Sequence, residues 1–103
     1  MNAYSIIPPA RADNYHIWSY IAKENEDAAN RVEQAIYDAC TLVANAPLSG
    51  HTRHDLTDRP LRFWTLTRFP NYSIVYKPES PPVLILAVLH GKRSARSILK
   101  ERH

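Results

Sequence analysis

Residues 25–46 read NEDAANRVEQAIYDACTLVANA, and their spacing decides the fold. Ala28, Ala29, Val32, Ala35, Ile36, Ala39, Leu42, Val43 and Ala46 recur at three- and four-residue intervals for about five turns, the period of an amphipathic α-helix. Asn25 supplies the N-cap, and Glu26 and Asp27 in the first turn complement the helix dipole. Pro47, Ser49 and Gly50 end the helix. The lone cysteine, Cys40, falls at an inward-looking position and reads as a small buried hydrophobe rather than a nucleophile.

Upstream, residues 4–7 read as a short strand stopped by Pro8-Pro9, since proline cannot donate to a ladder but fits the first turn of a helix. A helix from about Pro9 places Ala12, Tyr15, Trp18, Ile21 and Ala22 on one face. Only Lys23-Glu24-Asn25 separates it from the next helix, which predicts an antiparallel helical hairpin, closely packed through the alanines.

Downstream, residues 51–60 have no periodicity and read as a solvated loop. Three strands follow, over residues 61–67, 72–77 and 83–89, joined by turns at Arg68-Phe69-Pro70-Asn71 and at residues 78–82. The last is apolar on both faces, so the hairpin is expected on one side and another cover, such as a partner protein, on the other. Residues 94–102 fit a short helix that needs docking to be stable. The expected class is α+β: one domain over residues 1–103, in two layers, with an N-terminal strand and helical hairpin on a mainly antiparallel sheet of three to four strands.

Composition narrows the chemistry. Of 103 residues 45% are apolar, enough for one core, and only Gly50 and Gly91 are glycine, so Walker and dinucleotide-binding loops are excluded. One cysteine forms neither an internal disulfide nor a multi-thiolate zinc site, and the cytoplasm is the expected compartment. The apolar run at residues 83–89 is too short for a membrane span, and Met-Asn-Ala-Tyr-Ser lacks a basic region followed by an apolar core, so neither export nor insertion is expected. The net charge of +3 is asymmetric: residues 1–46 carry three basic and six acidic groups, residues 47–103 ten basic and four acidic. An anionic partner would meet the second half.

His90-Gly91-Lys92-Arg93 ends the most apolar strand, with Gly91 expected in backbone dihedrals closed to other residues. Functionally it reads as an anion-facing cluster, with Arg93 making bidentate contacts and His90 moving protons; structurally, His90 bonds to backbone and Arg93 to a helix carboxylate. Arg62, Arg68, Lys77, Lys92, Arg93, Arg96, Lys100 and Arg102 alternate with aromatics, which suits an interaction surface, although half of those rings must face the core. His51, His54, Asp55 and Asp58 read as a solvated loop rather than a metal site, and no cofactor is expected. Core packing accounts for Trp64, whereas Trp18 is free to show one flank to a partner.

The order of these segments resembles the ParE/RelE superfamily of toxins from type II toxin–antitoxin modules, nearest its ParE branch. The resemblance rests on Pro8-Pro9-Ala10-Arg11-Ala12-Asp13, Ile17-Trp18-Ser19-Tyr20-Ile21, Asp27-Ala28-Ala29, Ala46-Pro47-Leu48-Ser49-Gly50, Phe69-Pro70-Asn71-Tyr72-Ser73-Ile74-Val75-Tyr76 and Val88-Leu89-His90-Gly91-Lys92-Arg93. It implies a RelE/ParE-like fold and an antitoxin whose C-terminal segment folds against the hairpin groove and sheet, with Tyr15, Trp18, Ile21 and Trp64 as contacts. For the ParE branch it implies poisoning of DNA gyrase without catalysis, through Arg62, Arg68, Lys92, Arg93 and Arg96, and no direct nucleic-acid binding outside the target or antitoxin complex. For the RelE branch it implies ribosome-dependent mRNA cleavage, which would use Arg62, His90 and Arg93. Ser73 stands where such nucleases commonly have arginine, which counts against cleavage. Ser94 follows Arg93 where the family usually has aspartate, which counts against a role for an acidic group pairing with Arg93.

Overall fold

The computed structural model describes residues 3–79, 82–91 and 95–102. Along the chain stand β1 (Tyr4–Ile6), α1 (Pro8–Ala22), α2 (Glu26–Asn45), β2 (Arg62–Thr65), β3 (Tyr72–Lys77), β4 (Val83–His90) and α3 (Ala95–Lys100). The sheet order is β1-β4-β3-β2, with β1 parallel to β4 and the other pairs antiparallel.

Local chemistry sets the helix ends as the sequence predicts. Pro8 and Pro9 open α1, and the Asn25 side chain accepts a hydrogen bond from the Ala28 N–H at 2.9 Å to open α2. The inward face of α2 is Ala29, Val32, Ile36, Ala39, Cys40, Val43 and Ala44, close to expectation, but Leu42 and Ala46 are exposed. In α1 the expected face is wrong. Ala10, Asp13, Asn14 and Ile17 are buried, while Ala12 and Tyr15 face outward. Hydrophobic periodicity assigns Asp13 to solvent, yet its carboxylate is consumed by protein donors and can therefore be buried.

Those donors lie at β4. Across the sheet, Val75 pairs with Ala87 but Tyr76 with Ile85, so Leu86 is an extra residue that bulges the strand. Beyond the bulge the backbone phase flips, and Val88 N–H and Leu86 C=O point to the side that β1 has vacated. Asp13 Oδ2 accepts from Val88 N at 3.0 Å, and Arg102 Nη1 donates to Leu86 O at 3.1 Å. Two side chains thus replace the missing strand partners.

Two cores flank the sheet. Ile17, Val32, Ile36, Val43, Ile74, Tyr76, Ile85 and Val88 join the hairpin to the first face. Leu61, Phe63, Val75, Leu86, Leu89, Ala95 and Leu99 form the second, with Leu56 and Ile98 packed against it. The second cover anticipated for β4 is therefore in large part the chain's own α3 and the segment before β2. Gly50 meets a tight contact of its own: its N–H donates to Tyr76 Oη at 2.9 Å, and Tyr76 Oη donates to Pro47 O at 2.8 Å, fastening the end of α2 to β3.

Candidate functional site

On the hairpin side a groove of about 170 Å³ opens between α2 and the end of β2. Ala35, Ala39 and Leu42 form one wall and Trp64 and Leu66 the other, with Asp38 and Arg68 at the rim. Leu42 keeps 40% of its surface exposed and is continuous with the apolar lining of Ala35, Ala39, Trp64 and Leu66, which makes a patch rather than a lone exposed side chain. Alternation puts Arg62 and Trp64 on the hairpin face, since Phe63 between them belongs to the opposite core. Beside the groove runs a free sheet edge. Phe63 exchanges backbone hydrogen bonds with His51, at 2.7 and 2.8 Å, and Leu66 N–H turns inward to Tyr72 O. The backbone groups of Thr65 therefore point away from β3, at an open edge.

The other expected antitoxin contacts lie on α1 and do not line this groove. Tyr15 is 67% exposed, Ile21 is half-buried against the first core, and Trp18 is half-buried with its Nε1–H donating to Asn30 Oδ1 at 2.8 Å, a link between the two helices. Periodicity had placed Leu42 in the core. The signal that finds its exposed role is the edge position of Trp64, which brings β2 under that turn of α2.

Among the described cations of the second half, several arginines are spent internally. Arg62 donates to Gly50 O at 2.7 Å and Leu48 O at 3.2 Å; Arg96 grips Asp55 O through Nε and Nη2 at 3.0 and 2.5 Å. Arg59 donates to Leu99 O at 3.0 Å and also to Arg102 O, closing the end of α3. Arg53 forms an exposed two-point pair with Asp55, at 2.9 and 2.7 Å, and its guanidinium holds that carboxyl below the usual carboxylate range. Arg68 is exposed. Lys92 and Arg93, the first candidates for target contact, lie outside the described residues, as does Ser94.

Arg62 and His90 stand apart. Arg62 pairs with Tyr76 and His90 with Tyr72, four residues along β3 and on opposite neighbouring strands, roughly 13 Å along the sheet and about 10 Å across it. The His90 ring instead tilts against Tyr72, centroids 5.1 Å apart. Burial, and then the nearby Tyr20 phenol, raise the Tyr72 hydroxyl above its ordinary range. Gly91 does not take up a left-handed backbone; what keeps it small is Asn71 O, 3.3 Å from where a Cβ would stand. No group of three or more His, Cys, Asp or Glu among the described residues is placed to hold a metal ion, and none of their helices is long and apolar enough to cross a membrane.

A strand and helical hairpin leading into a four-stranded sheet of this order define the RelE/ParE-like α+β architecture. A solved structure described as the chromosomal ParDE TA system from P. aeruginosa shares the fold, with a TM-score of 0.69 and 21% identity over 87% of this chain and 96% of that one. A family model described as the ParE toxin of type II toxin-antitoxin system, parDE, matches residues 4–95, and the chain belongs to that family. No curated protein matches it.

Proposed function

We propose that this chain is a growth-arresting toxin that poisons DNA gyrase without catalysing a reaction of its own, and that a cognate antitoxin neutralises it by filling the groove between α2 and β2. The observation that carries the antitoxin half is the exposed Leu42 above Trp64, beside the unpaired edge at Thr65. An extended or helical apolar segment is the occupant such a site takes: the groove rewards apolar side chains, and the edge offers backbone hydrogen bonds. Ordering that segment costs conformational entropy, which the covered Leu42 and Trp64 offset.

Family membership and the layout of the sheet support the gyrase half. The nuclease reading needs Arg62 and His90 around one phosphate, where charge develops as the 2′-hydroxyl attacks. Here Arg62 Nη1 is engaged by two carbonyls, and His90 lies at the other end of β3. Ser73 faces the other side of β3, where it hydrogen bonds with Thr65 Oγ1 at 3.1 Å, and it adds no positive charge.

Purified chain incubated with gyrase and supercoiled plasmid is expected to accumulate protein-linked cleaved DNA, and added antitoxin to suppress it. Codon-specific mRNA cleavage on translating ribosomes, with no cleaved plasmid, would replace this reading by the interferase one. Arg93→Ala is expected to remove growth arrest and leave the circular dichroism spectrum unchanged.

A further inference from the structure

On the opposite side of the sheet from the hairpin lies a cleft of about 370 Å³ that the antitoxin groove leaves free and that, among its described lining residues, shares only Arg96, at its rim, with the expected gyrase contacts. Its walls combine two chemistries. Leu56, Phe63 and Leu89 supply an apolar floor, Arg53 and Arg96 reach its rim, and no carboxylate is among its described lining residues. We propose that this cleft docks an acidic, apolar-punctuated peptide segment of a partner protein, with a carboxylate on Arg53 and an adjoining aliphatic side chain on the Leu56–Leu89 floor.

The chain itself shows the first half of that contact. Asp55 sits side-on against Arg53, Nε to one oxygen and Nη2 to the other, the two-point geometry in which a guanidinium recognises a carboxylate. The pair is open to water, with side chains 49% and 60% exposed, and a pair so solvated is held weakly. A carboxylate arriving from a partner can displace Asp55 and bring apolar contacts that Asp55 cannot make. Arg96, whose Nε and Nη2 hold the Asp55 backbone, keeps this loop at the cleft and adds its charge there.

Peptide suits the cleft better than a nucleic-acid strand. Strands are held by stacking bases on exposed rings; in this cleft Phe63 is only 6% exposed and the His90 ring already packs against Tyr72. The exposed rings Tyr15 and Tyr20 belong to α1, in the hairpin layer across the sheet.

The test uses the full chain and a fluorescein-labelled peptide alternating Glu and Leu, read by anisotropy at low salt. Its Gln-for-Glu counterpart is expected to bind about threefold more weakly, and Arg53→Gln to weaken the Glu peptide by a similar factor, as loss of one solvated two-point contact predicts. Asp55→Asn removes the internal competitor and is expected to tighten binding about threefold, a gain that misfolding cannot produce. Methyl shifts at Leu56 and Leu89 place the peptide. Equal affinity for the Glu and Gln peptides, indifference to Arg53→Gln, or no tightening in Asp55→Asn overturns the proposal. So does displacement of the peptide by oligothymidylate whose own binding follows the same variants, which would make the cleft a nucleic-acid site. Neither gyrase nor antitoxin enters these measurements, so their outcome is separate from that of the toxin reading.

Discussion

Asp13 and Arg102, 89 residues apart, close a two-point ion pair over the part of β4 that β1 leaves uncovered. Asp13 is 3% exposed, and the same carboxylate accepts the Val88 N–H. Removing one partner leaves a buried charge without compensation, a loss of about 3–5 kcal/mol, whereas two well-packed apolar replacements are nearly neutral. Urea unfolding of Asp13→Asn and Arg102→Gln is therefore expected to show large single losses, with the double variant well short of their sum. Additive losses would mean that the two groups act separately.

That pair also marks where the sequence stops being legible. The hairpin, its Asn25 cap, β3 and the apolar character of β4 follow from periods of 3.6 and 2, because those elements bury one continuous stripe or a whole strand. Asp13 breaks the stripe of α1, and the partner that permits its burial lies at the other end of the chain. The Leu86 bulge has no local signature either, since an all-apolar strand looks the same in either phase. Leu42 is the converse case: its period is right, but α2 outruns the short β2, so a residue of the inward stripe ends over a groove instead of a core.

A second test concerns the fastening of α2 to β3. A Cβ at Gly50 would stand 2.6 Å from Tyr76 Oη and 3.0 Å from Phe63 O, with backbone on one side and a fully buried ring on the other. Gly50→Ala is expected to cost about 1–3 kcal/mol by overpacking. Tyr76→Phe should cost about 1–2 kcal/mol by leaving the Gly50 N–H and the Pro47 carbonyl without that partner. Gly91→Ala, facing only Asn71 at 3.3 Å or beyond, should cost less than either. Thermal melts of the three variants give the order directly.

Alkaline pH probes the interior. Burial pushes the Cys40 thiol up to about 12, from 9.0, and burial likewise raises Tyr4. Both groups are neutral when protonated, and their folded values exceed the unfolded ones. Their contribution is therefore fully present below about pH 9 and declines as pH rises towards 12. Stability measured by urea midpoint should be flat across neutral pH and fall above that point, less steeply in Cys40→Ala. At neutral pH the native thiol should resist iodoacetamide, and rapid alkylation there would contradict its burial.

Leu42 separates binding from folding. Because it is already 40% exposed, Leu42→Glu removes only part of a core contact and is expected to cost about 1–2 kcal/mol, which leaves the chain folded. In the complex the same change would bury a carboxylate against Trp64, Leu66 and Ala39, where the like charge of Asp38 offsets the attraction of Arg68 at the rim. Antitoxin affinity should fall by tenfold or more, roughly the cost of losing a central apolar anchor, while toxicity of the free chain persists. Calorimetric titration with the antitoxin and growth assays in its absence measure the two effects independently. Unchanged affinity in Leu42→Glu would place the antitoxin elsewhere, with the α1 flank of Tyr15 and Trp18 the next surface to vary.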